Sequence, residues 1–157
     1  MDYRVRLCRA KQGDFDYIEA WLQDPDVRFK MVGKDEETTA VWTSSSERRE
    51  IYMILRNCDD RTIGYIEVAD MNVTGGRAEI KMCIGSGDDR GQGYGPEALE
   101  LVTTTLKERG FRSIYLRVLT ENEPAVRCYE KVGFVKTGIL RDHRLGDSDM
   151  FLMEYPN

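Results

Sequence analysis

The sequence predicts an α/β fold in which a mixed, mostly antiparallel sheet of about six to seven strands is flanked by about four helices. Three observations support this prediction. Residues 50–85 contain three strand-like segments separated by turns, residues 89–110 form a glycine-rich segment that runs into a helix, and residues 113–155 are typical of a strand, a helix and a closing hairpin.

The N-terminal third begins with a strand, because Val5 and Leu7 alternate with arginines in YRVRLCR. Asp14 can cap a following helix whose apolar positions are Phe15, Ile18 and Leu22. The segment DPD at 24–26 ends that helix, and residues 26–50 are expected to form a short helix plus a loop.

The middle of the chain predicts a three-stranded antiparallel meander at 50–56, 62–71 and 77–85. The third strand, RAEIKMCIG, alternates between an apolar and a more polar face. We expect Ala78, Ile80, Met82 and Ile84 on one face, with Glu79, Lys81 and Cys83 on the other.

The remaining elements follow the same periodicity. Residues 96–110 predict a helix with an apolar stripe of Leu99, Val102 and Leu106, and 113–119 predict a strand. A second helix is expected from about 122 to 132, with Gly133 after its end. Residues 135–143 and 149–155 predict a hairpin around the turn LGDS.

Composition indicates one soluble domain over residues 1–157, with 41% hydrophobic and 32% charged residues. No apolar run approaches the ~20 residues that span a bilayer, and the N-terminus has no signal-like apolar stretch, so we expect a cytoplasmic protein without membrane association. Its four cysteines are widely separated and His143 is the single histidine, which favours free thiols and no metal site. The net charge of −5 argues against direct nucleic-acid binding.

The segment DRGQGYGPEALELV (89–102) places glycines at 91, 93 and 95 before a helix. A helix N-terminus offers unpaired N–H groups that suit a phosphate, and Arg90 adds a fixed positive charge. A tight loop without a ligand is the alternative interpretation. A Walker loop is excluded because no Lys-Ser/Thr pair follows, and a Rossmann fingerprint does not fit an antiparallel meander.

Two motifs together resemble the GNAT-type N-acetyltransferases: RGQGYG (90–95) and NEPAVRCYEKVGF (122–134). The resemblance covers about residues 60–155 and is strongest to the branch that acetylates ribosomal-protein N-termini and spermidine. It implies a GNAT-like fold with splayed central strands and acetyl-CoA as the acetyl donor. By resemblance, the loop formed by Arg90, Gly91, Gln92, Gly93, Tyr94 and Gly95 holds the pyrophosphate. The backbone of Met82, Cys83 and Ile84 binds the pantetheine and acetyl oxygen, and Asn122 contacts the pantetheine arm.

The resemblance implies direct attack of a neutral amine on the thioester in a ternary complex. A primary amine with a pKa of ~10.4 is almost fully protonated near neutral pH, and forming the neutral nucleophile costs about 4 kcal/mol. A base that accepts this proton is therefore useful. Glu79 is the first candidate for this base and Glu67 the second. The alternative for Glu79 is a solvated strand glutamate paired across the sheet. Tyr129 falls on the general-acid position, and a core tyrosine is its alternative.

The acceptor is expected to be a polyamine-like amine or a peptide N-terminus, because acidic residues occupy the segments that line the acceptor groove in this family. These residues are Asp24, Asp26, Asp35, Glu36, Glu37, Asp142, Asp147 and Asp149. Solvated loop acids are the alternative. A homodimer is compatible with the family. Two other functions stay open: a catalytically silent acyl-CoA sensor and a nucleotide-phosphate module.

Overall fold

The computed structural model describes residues 2–25, 49–72, 74–85, 87–141 and 149–156. The expected helix and loop at 26–50 and the LGDS turn therefore lie largely outside the described residues. Within them the order is β1 (Val5–Arg9), α1 (Phe15–Trp21), β2 (Glu50–Arg56), β3 (Arg61–Asn72), β4 (Arg77–Ile84), α2 (Tyr94–Glu108), β5 (Ser113–Leu119), α3 (Glu123–Val132), β6 (Val135–Arg141) and β7 (Asp149–Glu154).

These strands form one seven-stranded sheet in the order β1-β2-β3-β4-β5-β7-β6. The predicted meander is confirmed, since β2 pairs with β3 and β3 with β4, both antiparallel. The closing hairpin is also confirmed, with β6 antiparallel to β7. One neighbouring pair is parallel: β4 with β5. A parallel pair needs a crossover, and α2 supplies it.

Both faces of the sheet are covered. On one face, α2 and α3 pack over a large apolar cluster that includes Leu99, Val102 and Val126. On the other face, Ile18 and Leu22 from the α1 region join Met53, Tyr65 and Cys83 in a smaller cluster. Strand β3 serves both clusters because successive side chains point to opposite faces.

This second layer corrects the prediction of a polar face on β4. Glu79 is 4% exposed and Cys83 is 9% exposed, so neither side chain faces open solvent. The alternation of side chains along β4 is present, since Ala78 and Ile80 join the large cluster and Cys83 the small one. The sequence pattern misjudged the environment because burial of that face depends on distant segments: Cys83 packs with the α1 region, and Glu79 is paired with Arg117 of β5.

Two helix starts also differ from the prediction. Asp14 makes no capping hydrogen bond to α1, and its carboxylate instead accepts one from the backbone N–H of Lys11 at 2.8 Å. Helix α2 begins at Tyr94 rather than at 96, because Gly93 takes the left-handed conformation of its N-cap, with φ of 85°. Helix α3 ends as predicted, followed by Gly133 with φ of 121°.

The approach of β3 to β4 at Gly64 leaves no room for a side chain. A Cβ at this position would lie 2.2 Å from the backbone oxygen of Cys83. We therefore expect Gly64→Ala to lower the free energy of unfolding by roughly 1–3 kcal/mol, as overpacking does elsewhere. Denaturant unfolding measures this change. The control is Gly13→Ala, where nothing lies within 4 Å of the added carbon. Equal stability of the two variants would contradict the close approach.

Candidate active site

The central feature of the site is a gap in the sheet between β4 and β5. Their parallel pairing covers three residue pairs, from Arg77↔Ser113 to Glu79↔Tyr115, and then stops. Beyond that point β4 stays paired with β3 and β5 with β7. Alternate residues of 80–84 therefore direct backbone N–H and C=O groups into the gap without a partner from β5. The predicted splayed strands are confirmed.

Two helices begin at the open end of the gap. Because β4 and β5 run parallel, the chain leaves both strands at the same edge of the sheet and enters α2 and α3 there. Gly93 is the N-cap of α2 and Asn122 is the N-cap of α3. Unpaired N–H groups and the positive ends of two helix dipoles thus meet at one opening, an arrangement suited to a negatively charged group.

The gap opens into a cleft of about 480 Å³. Its walls are β4 from Ile80 to Ile84, the end of β5 with Val118 and Leu119, the glycine loop and the first turns of α3. A Cβ on Gly91 would meet nothing within 4 Å, and one on Gly95 would meet only ordinary contacts at 3.5 Å. A Cβ on Gly93 would instead lie 2.9 Å from Nη2 of Arg4. The loop is therefore open at Gly91 and Gly95, while the Arg4 guanidinium lies against Gly93.

Two arginines hold the glycine loop. Arg90 donates from Nε to the backbone oxygen of Ile84 at 2.9 Å and from Nη2 to that of Gly85 at 3.3 Å, which ties the loop to the end of β4. Asp89 is 2% exposed, and its Oδ1 accepts a hydrogen bond from Nη1 of Arg56 at 2.8 Å. The Oδ2 atom of Asp89 is buried and has no hydrogen-bond partner within the described residues.

Tyr129 of α3 lines the same cleft. Burial raises the pKa of its phenol above the ordinary value, and the thiols of Cys128 and Cys83 add smaller contributions. The phenol therefore stays protonated at neutral pH and can donate a hydrogen bond. Burial also raises the pKa of Cys128 to about 11, so this thiol stays protonated as well.

A band of charged side chains crosses the α1 face of the sheet beside the gap. Arg117 of β5 donates two hydrogen bonds to Glu79, at 2.5 Å and 3.1 Å. Glu67 of β3 is 4% exposed and lies 3.4 Å from Arg49 and 3.9 Å from Lys81. Burial raises the pKa of Glu67, because removal from water outweighs the two cations.

Most residues predicted for the site line one cleft. These are Met82, Cys83, Ile84, Arg90, Gly91, Gly93, Tyr94, Gly95, Asn122 and Tyr129. Gln92 is exposed in the same loop and is not part of the lining. Glu79 and Glu67 lie behind the wall, and each contacts a cation that does line it, Arg117 and Lys81 respectively.

Sequence reasoning missed several residues of the cleft. Val118 and Leu119 form its second wall, and Asp89 anchors the loop. Val118 and Leu119 could have been predicted, because they end the strand at 113–119 that leads directly to the Asn122 motif. No local signal identifies Asp89, because its partner Arg56 is 33 positions away.

Most of the predicted acidic rim cannot be located. Asp26, Asp35, Glu36, Glu37, Asp142 and Asp147 lie outside the described residues, while Asp24 and Asp149 lie within them. Across the described ranges, no group of three or more His, Cys, Asp or Glu side chains could hold a metal ion. Among the helices described there, none is long and apolar enough to cross a bilayer.

Comparison with known proteins agrees with this geometry. Residues 4–135 match the acetyltransferase (GNAT) domain family. Spermidine N(1)-acetyltransferase of Vibrio cholerae is 31% identical, over 89% of this chain and 84% of that protein. An uncharacterized protein of Methanocaldococcus jannaschii is 27% identical over 87% of this chain, which spans only 29% of its length.

Solved structures show the same fold. A domain from Methanocaldococcus jannaschii superposes with a TM-score of 0.80, 23% identity and coverage of 98% of both chains. Spermidine N-acetyltransferase of Vibrio cholerae, crystallised with CoA and spermine, has a TM-score of 0.82 at 20% identity, over 96% of this chain and 94% of that one.

The splayed mixed sheet with two helix N-termini at its open end is the fold of these acetyltransferase-family relatives. This chain belongs to the GNAT acetyltransferase family and is an enzyme of the N-acetyltransferase class.

The Arg56–Asp89 contact makes a testable contribution to the loop. Arg56→Gln leaves the buried Asp89 carboxylate without its closest cation and also removes the exposed contact of Arg56 with Asp59, so we expect the free energy of unfolding to fall by about 3 kcal/mol. Adding Asp89→Asn should recover part of this loss, because the uncompensated charge is removed. The free energy of unfolding of the unmodified protein, both single variants and the double variant, measured with denaturant, completes a double-mutant cycle.

The control for this cycle is Arg6→Gln. Arg6 pairs with Asp60 at 2.7 Å, but the two side chains are 42% and 74% exposed, so its loss should cost less than about 1 kcal/mol. Strictly additive effects of Arg56→Gln and Asp89→Asn would show that the pair is not coupled.

Proposed function

We propose that this enzyme transfers the acetyl group of acetyl-CoA to a primary amine, by direct attack in a ternary complex. The observation that carries the proposal is the gap between β4 and β5, which brings unpaired strand backbone, two helix N-termini and the Tyr129 phenol into one cleft. The related spermidine acetyltransferase supports an amine as the acceptor.

In this proposal the glycine loop holds the cofactor pyrophosphate. The N–H groups at the start of α2 donate to it, and Gly93 at φ of 85° leads the chain into that helix. The thioester arm extends along 82–84 of β4, with Asn122 across the gap. Arg90 contributes positive charge while its hydrogen bonds to Ile84 and Gly85 keep the loop against the strand.

Tyr129 donates a hydrogen bond to the thioester sulfur and protonates the leaving thiolate. Its raised pKa keeps the proton on the phenol until negative charge develops on sulfur. A thiol of pKa ~8.5 is a stronger acid than a phenol of pKa ~10, so complete transfer is uphill and occurs late. Burial raises the pKa of the phenol and widens this difference, so the proposed role of Tyr129 rests on its hydrogen bond to the sulfur, with proton transfer following late.

Two carboxylates are candidates for the base, and their contacts differ. Glu79 is held by two hydrogen bonds from Arg117, so both of its oxygens are already engaged. Glu67 has a raised pKa, closer to neutral pH, and such a group is a more effective base. The contacts favour Glu67. Because neither carboxylate lines the cleft, the amine proton reaches it through a water relay.

The proposed acceptor is a primary amine, either a polyamine-like molecule or a peptide N-terminus. Of the carboxylates proposed to attract a cationic acceptor, Asp24 and Asp149 are the two within the described residues, and Asp149 lies 3.7 Å from Arg141. Assembly as a homodimer and a location in the cytoplasm stay part of the proposal.

Release of free CoA thiol from acetyl-CoA, measured across spermidine, an aminoglycoside, amino acids and a short peptide, tests the function. We expect turnover with at least one amine, and Tyr129→Phe should reduce kcat by more than tenfold with little change in calorimetric affinity for acetyl-CoA. Tight binding without thiol release from any amine would support the sensor interpretation. A full-rate Tyr129→Phe enzyme would remove this residue from the mechanism.

The choice of base predicts a pH dependence. A base must be deprotonated to act, so kcat is retained above the raised pKa of Glu67 and falls as the pH drops through it. Glu67→Gln should lower kcat by about 10²-fold and remove this acidic limb. The profile is measured at saturating acetyl-CoA and amine. The matched variant is Glu79→Gln, and loss of the limb in that variant instead would assign the base to Glu79.

A further inference from the structure

A primary amine is part of the wall of the cleft. Lys81 of β4 lines it, and its side chain is 33% exposed. Lys81 is the direct cross-strand partner of Glu67, and its Nζ lies 3.9 Å from the Oε2 atom of that glutamate. The side chain is thus partly exposed, and its amine has a buried carboxylate beside it.

The position of Lys81 along β4 brings it close to the groups of the reaction. Lys81 and Cys83 are two residues apart and project from the same face of the strand, about 7 Å along it. Cys83 and Tyr129 line the same cleft as Lys81. The flexible four-carbon stem of a lysine lets Nζ move from Glu67 toward the gap.

We propose that Lys81 is a site of self-acetylation, modified by the acetyl-CoA bound in its own cleft. The inference rests on the proposed function. Glu67 accepts one proton from the Lys81 ammonium, and the neutral Nζ attacks the thioester carbonyl carbon. The new N–C bond forms as the C–S bond breaks. The thiolate leaves as CoA-SH with a proton from Tyr129, which the phenol regains from the attacking nitrogen.

The products are an uncharged acetamide on Lys81 and free CoA. Acetylation removes the positive charge of Lys81 from the α1 side of the cleft. Glu67 keeps its contact with Arg49 at 3.4 Å. The added acetyl group occupies space beside the gap that an external amine needs. Self-acetylation therefore limits later turnovers when acetyl-CoA is present without an acceptor.

Two other lysines provide an internal comparison. Lys131 also lines the cleft, but it projects from α3 and is exposed. Lys136 is an exposed residue of β6, outside the cleft lining. Uncatalysed acetylation by a reactive thioester would modify exposed amines such as these, whereas transfer within the cleft selects Lys81.

The test is incubation of the whole purified protein with acetyl-CoA, followed by intact-mass and peptide mass spectrometry. We expect one acetyl group per chain, on Lys81, appearing with a first-order rate that does not depend on protein concentration. Tyr129→Phe should slow this rate by more than tenfold, and an added acceptor amine should compete with it. Lys81→Arg should remove the modification, whereas the control Lys136→Arg should retain it at the normal rate.

Acetylation spread evenly over Lys81, Lys131 and Lys136, or at the same rate in Tyr129→Phe, would overturn the proposal. The parallel calorimetric and thiol-release assays separate the two levels of inference. Normal turnover of an external amine with unmodified Lys81 would contradict self-acetylation alone. Absence of both acetyl-CoA binding and thiol release would contradict the proposed function as well as self-acetylation.

Discussion

The parallel ladder between β4 and β5 ends at Glu79 and Tyr115, and the whole candidate site depends on this early end. Had the pairing continued, the backbone groups of 80–84 would be used within the sheet. Because β3 and β7 hold the two strands from outside, the gap opens without leaving either strand unsupported. The parallel orientation then delivers two helix N-termini to the same opening.

Guanidinium groups support this opening from several sides. Arg90 holds the loop to β4 through backbone oxygens, and Arg56 reaches the same loop from β2 through Asp89. Arg117 bridges from β5 to Glu79 on β4, at the position where the ladder stops. A guanidinium group is planar and carries several donors in fixed directions. It can therefore connect two segments that share no backbone hydrogen bonds. The geometry of the cleft therefore rests on charged contacts as well as on the apolar clusters.

The glycine loop and the Tyr129 motif lie within the part of the chain that matches the acetyltransferase family, and a charged band crosses the α1 face of the sheet beside them. Glu67 and Glu79 are both almost buried, and each contacts a cation that reaches the cleft. Burial raises the pKa of Glu67, and Glu79 is tied to Arg117 by two hydrogen bonds. The same side-chain type thus stands in two different environments on one face of the sheet.

The sequence by itself determined the local elements and the class of cofactor site. The strand at 113–119 was predicted with the bounds that the structure has, and the stripe of Leu99, Val102 and Leu106 is buried in α2. These features depend on periodicity within a few turns of chain, which a sequence displays directly. The motif at 90–95 and Tyr129 followed from the family resemblance.

Only the tertiary structure decided which charges meet. The contact of Arg117 with Glu79 joins residues 38 positions apart, and that of Arg56 with Asp89 joins residues 33 apart. The pairing of Lys81 with Glu67 follows from the register of β3 on β4, and the burial of Cys83 follows from the layer that α1 adds. Register and layering arise from packing between distant segments, so no local pattern encodes them.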